Sequence, residues 1–283
     1  MDIASIIGVV IGIGSLMVAY SMDGGTLTAL LNISAGFVVI GGSLGALAIA
    51  YGLDQLIKLP ALVLKVIKSP KSRLNETLDY LIMLAENARR DGLLSLEKII
   101  NKEEPKKQTV DPLMKNGMLM VIDGADLEQI KDYLETEINI FERHARTEVS
   151  IFESLGGYAP TFGMVGTIMG MIQVLANMES PEHMATSIAV AFTATLYGVF
   201  LANLIFLPIA NKLKLRMEAS LIEKEMIVEG ICSIRNGQNP KILRDKLSVY
   251  LTGKADGKKR SAAPAKGVKT RIGKEAVNEK ANR

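Results

Sequence analysis

The sequence predicts an all-α polytopic membrane protein, with four transmembrane helices and a helical cytoplasmic domain between spans 2 and 3. The first observation behind this is where the apolar residues lie. Of 283 residues, 48% are apolar, and they gather in four blocks at roughly 3–20, 31–53, 155–176 and 185–210. At about 1.5 Å per residue, a helix of ~20 residues spans the ~30 Å hydrocarbon core of a bilayer. The second observation is where the charge lies. All 33 Lys and Arg fall in 58–146 or 212–283, and none in 1–57 or 147–211. By the positive-inside rule those basic blocks are cytoplasmic, and the two short turns carrying Asp23, Glu179 and Glu182 face outward. The third is the chemistry that is missing: one Cys, two His and no Gly-rich phosphate loop followed by Lys. No disulfide framework, metal cluster or catalytic constellation is expected, and neither a cofactor nor a nucleic acid partner is implied.

The chain then divides as transmembrane helices 1 and 2 (1–57), a cytoplasmic helical domain (58–151), transmembrane helices 3 and 4 (152–210), a cytoplasmic helical segment (211–253) and a disordered basic tail (254–283). Only Met1 and Asp2 precede the first apolar block, so it lacks the basic n-region of a secretory signal and reads as an uncleaved span. Its Gly8, Gly12, Ser15 and Ala19 recur every three or four residues, which puts a small face toward a neighbouring helix. Gly41, Gly45, Ala48 and Gly52 do the same in the second span. Both termini are placed on the cytoplasmic side of the inner membrane.

In the cytoplasmic domain, Leu56, Leu59, Leu62, Val63, Val66 and Ile67 continue helically until Ser69-Pro70. Leu74, Leu78, Leu81, Ile82 and Ala85 form a second amphipathic stretch. Gly92 is placed to end that helix, and Ser95 to cap the next. The charged run 101–109 with Pro105 reads as a loop. A long helix with one packed face (Ile130, Leu134, Ile138, Phe141) starts near Asp126 and runs toward the third span. After Gly253 the residues are mostly Lys, Ala, Gly and Asn, too polar to bury a core.

The third and fourth spans hold no Asp, Glu, Lys, Arg or His between 155 and 176, or between 185 and 210. They do hold Pro160, Thr167, Thr193, Thr195 and Pro208. A Thr in a helix can bond the carbonyl three or four residues back, which is the plain structural role for these hydroxyls. A proline frees a carbonyl and is expected to kink its helix. Such helices can line a wet path, but a proton or cation path also needs an acid or a compensating charge. If this chain conducts ions, a partner helix must bring the carboxylate.

Three motifs carry a resemblance. A-P-T-F-G-M-V-G-T-I-M-G at 159–170 resembles the third transmembrane helix of the MotA and PomA family, the stator proteins of the bacterial flagellar motor. A-T-L-Y-G-V-F-L-A-N-L-I-F-L-P-I-A at 194–210 resembles the fourth, and A-R-R-D-G-L-L-S-L-E at 88–97 the rotor-contacting segment. The resemblance runs over about residues 1–250 and is weak in 1–55. It implies a non-enzymatic, ion-driven torque generator: a pentameric ring around a dimer of MotB-like subunits, which supply the membrane aspartate and a peptidoglycan anchor. The cytoplasmic domain would then work against the rotor protein FliG. By motif, Pro160 and Pro208 match the functional prolines, and Thr195 the polar residue near the partner's aspartate. Arg89 and Glu97 match the charged pair that engages the rotor, with Arg90 an alternative to Arg89 by one position. Thr167 adds a hydroxyl opposite Thr195, a pairing that resembles sodium-type stators; the coupling ion, H+ or Na+, stays open. Two other readings are an energiser like ExbB or TolQ, which has one span before the cytoplasmic region, and a non-conducting scaffold.

Overall fold

The computed structural model describes residues 3–67, 73–101, 111–176 and 181–260. Among them the chain is built of helices joined by short turns. The first helix, α1, is Ile3–Met22. The second, α2, covers 33–51: it opens as Ile33–Gly36, widens to a π-helical turn at Phe37–Gly41, and finishes as Gly42–Tyr51. Asn32 caps it by accepting from the Ala35 N–H at 3.1 Å. Gly52, in the left-handed region at φ 78°, then turns the chain straight into α3, Leu53–Ile67.

The charged helical domain outside the apolar segments consists of α4 (Leu74–Asp91), α5 (Leu96–Asn101) and α6 (Pro112–Ile122), together with parts of the later helices. The long helix α7 is Leu127–Ala176, an unbroken 50 residues that carries the cytoplasmic domain directly into the membrane. The return path is α8 (Pro181–Phe200), a second π-helical stretch at Leu201–Phe206, and α9 (Leu207–Arg235). After a turn at Gly237, α10 (Pro240–Arg260) closes over the cytoplasmic core.

That core is where the apolar periodicity of the soluble part converges. Leu78, Leu81, Ile82 and Ala85 of α4 pack with Met114 and Met118 of α6, Ile130 and Leu134 of α7, Ile227 and Ile231 of α9, and Leu243 and Leu247 of α10. Asp111 starts α6 by accepting from the Leu113 N–H at 2.9 Å, with Pro112 pre-set for the first turn. The same carboxylate receives Lys224 at 3.2 Å, and that ammonium sits 4.9 Å from the centre of the Phe141 ring. At the membrane boundary, a second core joins Leu47, Leu62, Val66, Phe152, Leu155, Ala210 and Leu213. Tyr51 ties α2 to α7 there, its hydroxyl reaching the Ser150 carbonyl at 3.1 Å and Ser154 Oγ at 2.9 Å.

Several expectations change. Among the described residues, three segments stand out as long and apolar enough to cross a membrane: Leu27–Tyr51, one inside Leu127–Ala176, and one inside Glu182–Arg235. The first apolar block forms α1, a 20-residue helix with no charged residue between Ile3 and Met22. The small faces of the first two spans are also placed differently. A Cβ on Gly12 would strike Leu204, but Gly8, Gly41 and Gly45 look onto open space, and Gly52 is a turn residue. The inward face of α2 is instead Ala35, Val39, Ser43 and Leu47, with Gly42 against the Phe162 ring. Pro160 does not end α7, because only the Gly156 carbonyl, four residues back, loses its donor. Pro208 also stays inside a continuous helical run, two residues past the π-helical stretch at Leu201–Phe206, so neither proline ends its helix. Ser95 does not take the capping role expected of it; its hydroxyl donates to the Gly92 carbonyl at 2.6 Å. Helix α10 runs past residue 253 to Arg260, consistent with the helix propensity of Lys and Ala. The expected stop at Ser69-Pro70, most of the expected loop at 101–109, and residues 261–283 lie outside the described residues.

Candidate functional site

Two transmembrane helices approach closely because their facing residues are small. Ala159, Gly163, Gly166 and Gly170 of α7 meet Ser187, Ala191, Ala194 and Gly198 of α8, and all are buried. The approach is backbone to backbone. A Cβ on Gly198 would lie 2.4 Å from the Ala159 carbonyl oxygen and 3.1 Å from the Pro160 Cα. One on Gly170 would lie 2.9 Å from the Ser187 carbonyl oxygen, and one on Gly163 3.0 Å from that of Ala194. With no hydrophobic drive between helices in lipid, this contact relies on van der Waals packing that only small residues permit.

Close approach brings the two threonines together. The Thr167 hydroxyl reaches the Gly163 carbonyl, four residues back, and the Ala191 carbonyl across the seam, each at 3.2 Å. The Thr195 hydroxyl reaches the same Gly163 carbonyl at 3.3 Å, and the two hydroxyls are hydrogen-bonded to each other. Both side chains are half-buried. Along α7 the pair lies about 20 Å from Ser154 and about 14 Å from Ala176, at 1.5 Å per residue. Thr193 is different: it is buried and bonds back to Ala189 at 2.7 Å, the plain structural role.

The donor count shows what the pair can offer. Each hydroxyl has one hydrogen and two lone pairs. Both hydrogens are used inside the cluster, on Gly163 O, Ala191 O or the other hydroxyl. What remains is a patch of neutral oxygen acceptors in a half-buried seam. Such a patch suits a hard cation or a protonated carboxylic acid. It has no charge of its own, and the flanking membrane segments bring none.

Sequence placed Pro160 near this cluster as a source of a carbonyl ligand. The freed carbonyl is that of Gly156, seven residues from Gly163 and about 10 Å away along the helix. The carbonyls at the pair are instead Gly163 O and Ala191 O. Pro160 contributes by packing against Gly198, and the residue before Pro208, Leu207, fills the space beside Gly156. Pro160 therefore sits at the Ala159–Gly198 end of the seam, with Pro208 beyond it.

Residues that sequence reading missed are the seam glycines and Tyr197. The Tyr197 hydroxyl donates to the Leu30 carbonyl at 2.5 Å and accepts from the Asn32 N–H at 3.0 Å. Irregular backbone beside apolar spans needs such partners, because lipid supplies none. The recurrence of Gly at 163, 166 and 170 was the available signal for the seam.

The second predicted site is on the cytoplasmic domain. Arg89 and Arg90 are exposed in the last turn of α4, and Glu97 is exposed in the first turn of α5. Gly92, at φ 83°, makes the sharp turn between them, and Leu94 stands 72% exposed on it. Arg90 is engaged locally, donating to Asp91 Oδ2 at 2.9 Å and to Asn87 Oδ1 at 3.1 Å. The hydrogen bond from Arg90 holds the Asp91 carboxyl below the usual carboxylate range. Arg89 makes no ion pair among the described residues, so it is the free cation of the two.

Comparison with known proteins shows the family. A motility protein A N-terminal model matches residues 6–92, and the MotA/TolQ/ExbB proton channel family matches 105–226. Motility protein A of Bacillus subtilis is 33% identical over 255 residues, covering 90% of this chain and 92% of that protein. Motility protein A of Helicobacter pylori is 35% identical over 252 residues, covering 89% and 95%. The chain belongs to the motility protein A family. The structure of Campylobacter jejuni MotAB superposes with a TM-score of 0.80 at 31% identity, covering 88% of this chain and 96% of that one. The flagellar MotAB stator complex of Bacillus subtilis gives 0.79 at 32%, covering 91% and 98%. The chain is a stator subunit of the flagellar motor. The N-terminal match also covers the two apolar segments before the cytoplasmic domain, where an ExbB-like chain would have one.

Proposed function

We propose that this chain forms the neutral wall of a sodium path whose charge comes from a MotB-like partner. The single observation that carries this reading is the threonine pair, with Gly163 O and Ala191 O beside it and no ionisable residue in the surrounding membrane segments. A sodium ion entering a dry site must replace its water with oxygens. Two hydroxyls and two carbonyls from this chain and a carboxylate from the partner would supply that shell. A proton needs only the acid and a water chain, so a second hydroxyl has no part to play on a proton path.

The rest of the proposal extends the likeness to the motility protein A family. The chain crosses the inner membrane four times with both termini cytoplasmic, forms a pentameric ring around the partner dimer, and does not act as an enzyme. Movement of α7 reaches the cytoplasmic core without a hinge, because one helix spans both. The exposed turn at Gly92, with Arg89 on one side and Glu97 on the other, is the surface offered to the rotor protein FliG. Ion passage at Thr167 and Thr195 would thus be felt at the rotor face through α7.

The test is swimming of cells that lack their own stator and express this chain with its partner. Speed should rise with external sodium and should survive a protonophore while sodium is present. Loss of swimming under the protonophore at every sodium concentration would point to a proton path, and absence of any motility to a scaffold.

A further inference from the structure

We propose that Glu153 and Asn203 form the outlet of the ion path, a wet mouth that draws a hydrated monovalent cation away from the threonine pair. This rests on the reading of that pair as an ion site. The side to which the pair opens follows from the contacts around it. One flank of the seam between α7 and α8 is covered by α2: Val38 sits beside Gly166, Gly42 lies against Phe162, and Tyr197 reaches Leu30 and Asn32. Around α7, Gly166 lies about 100° to one side of Thr167, while Glu153 and Gly157 lie about 40° and 80° to the other. Toward the charged helical domain, Gly157 comes about 15 Å after Thr167 and Glu153 about 21 Å after it. On the facing helix, Asn203 comes about 12 Å after Thr195 and within about 80° of it, an angle that the π-helical stretch at Leu201–Phe206 reduces. The seam sets Gly198 against Ala159 and Leu207 against Gly156, so Asn203 is level with Gly157. Glu153, Gly157 and Asn203 are all exposed, and a Cβ on Gly157 would meet nothing.

The chemistry of the two side chains agrees. Asn203 Nδ2 donates to the Val199 carbonyl at 2.9 Å. Its second N–H and its Oδ1 have no partner among the described residues. Lipid supplies none, so an amide exposed inside an apolar segment is costly unless water reaches it. Glu153 is the first charged residue of α7 outside its apolar block. The next carboxylates along that helix are neutralised, Glu148 by Lys65 and Glu142 by Arg146. Glu153 has no cation beside it among the described residues. An unpaired carboxylate at the end of a groove with neutral walls concentrates cations there. The amide oxygen and water rehydrate the ion, and Glu153 holds the opening at negative potential.

Cysteine reactivity tests this on the full chain with its MotB-like partner, in sealed vesicles with the charged domain outward. Cys232→Ser removes the one native thiol of the chain, and the partner is cysteine-free. Gly157→Cys and Asn203→Cys, made separately in case one disturbs the fold, are treated with a cationic or an anionic methanethiosulfonate. Ile40→Cys is the lipid-facing control, on the exposed side of α2 next to the level where Val39, Ala159 and Ala202 meet. Both groove cysteines should react several-fold faster than the control and prefer the cationic reagent. A unit charge about 6 Å away in water changes the local cation concentration about threefold, so Glu153→Gln should slow the cationic reagent by that factor. Glu153→Lys should invert the preference. Reaction no faster than the control overturns the proposal, because lipid or a second copy then covers the groove. Fast reaction that ignores the charge at residue 153 overturns the role of the carboxylate. In flux measurements, Glu153→Gln should raise the half-saturating sodium about threefold from the charged-domain side only; an equal shift from both sides would overturn the assignment as an outlet. The reagent rates do not depend on the coupling ion. Proton-only flux through the unaltered complex would therefore refute the sodium site and leave the outlet standing.

Discussion

Replacing Thr195 with Val removes one hydroxyl and keeps the shape of the side chain. The fold should survive this change. The lost contacts are those to Gly163 O and to the Thr167 hydroxyl, and hydrogen bonds between membrane helices contribute ~0.6 kcal/mol on average, at most ~1.7. The seam that holds the helices together is made by glycine and alanine and is untouched. The ion site should suffer more. If one oxygen ligand is worth the ~1.4 kcal/mol that equals a factor of ten, the sodium concentration for half-maximal rotation should rise about tenfold, with maximal speed recovered at high sodium. Thr167→Val should do the same. The double variant should fall short of the product of the two, because the hydroxyls touch and share Gly163 O, and contacting residues are not additive. Rotation of tethered cells across a sodium series reads all of this. Unchanged torque and an unchanged sodium curve in the double variant would show that these hydroxyls only bond back along their helices.

Gly198→Ala should lower the amount of folded protein in membranes, because its Cβ would meet the Ala159 carbonyl at 2.4 Å and backbone must move, at a cost of about 1–3 kcal/mol. Gly41→Ala, which opens onto free space in the chain, leaves the fold of the subunit unchanged, and melting in detergent compares the two. At the rotor face, single neutralisation of Arg89 or Glu97 should weaken swimming only in part, since exposed ion pairs contribute roughly 0.2–1 kcal/mol. Reversing both should stop most cells, and charge reversal on the rotor should restore some; intact swimming in the double reversal would place the contact elsewhere. Arg90→Ala should matter less than Arg89→Ala, as Arg90 is committed to Asp91. Finally, burial, with the Glu229 carboxylate nearby, pushes the Cys232 thiol above its ordinary range. Its protonated form is the folded protein's resting state at neutral pH, so alkylation should be slow at pH 7 and quicken as pH rises past the range of a free thiol; a rapid reaction at pH 7 would contradict the burial.

Hydropathy and period were enough to find most of the helices, and the reason is physical. A lipid-facing segment has to be apolar along its length, and Leu78, Leu81, Ile82 and Ala85 have to repeat with the helix to share one core. The long helix was also legible, because its stripe from Ile130 onward runs without a breaker into the third span. What escaped depends on a neighbour the sequence does not name. Gly41 and Gly45 look like a packing face by spacing, yet Val39, Ser43 and Leu47, two positions away and so nearly opposite on the helix, are the side that turns inward. Tyr197 meets Leu30 and Asn32 across more than 160 positions, with no local pattern to signal it. The threonine pair was legible as two hydroxyls on two spans. Their joining through Gly163 O required the seam, and so did the finding that the Gly156 carbonyl, freed by Pro160, is too far along the helix to take part.

The most direct test of the account is ion flux into vesicles. The chain should be reconstituted with its MotB-like partner, alone, and with a partner whose membrane aspartate is replaced by Asn. The account predicts sodium uptake by the intact pair only, reduced at low sodium by Thr195→Val. Flux through this chain alone would contradict the claim that its membrane wall is neutral and borrows its charge, and uptake by the Asp→Asn complex would contradict it equally.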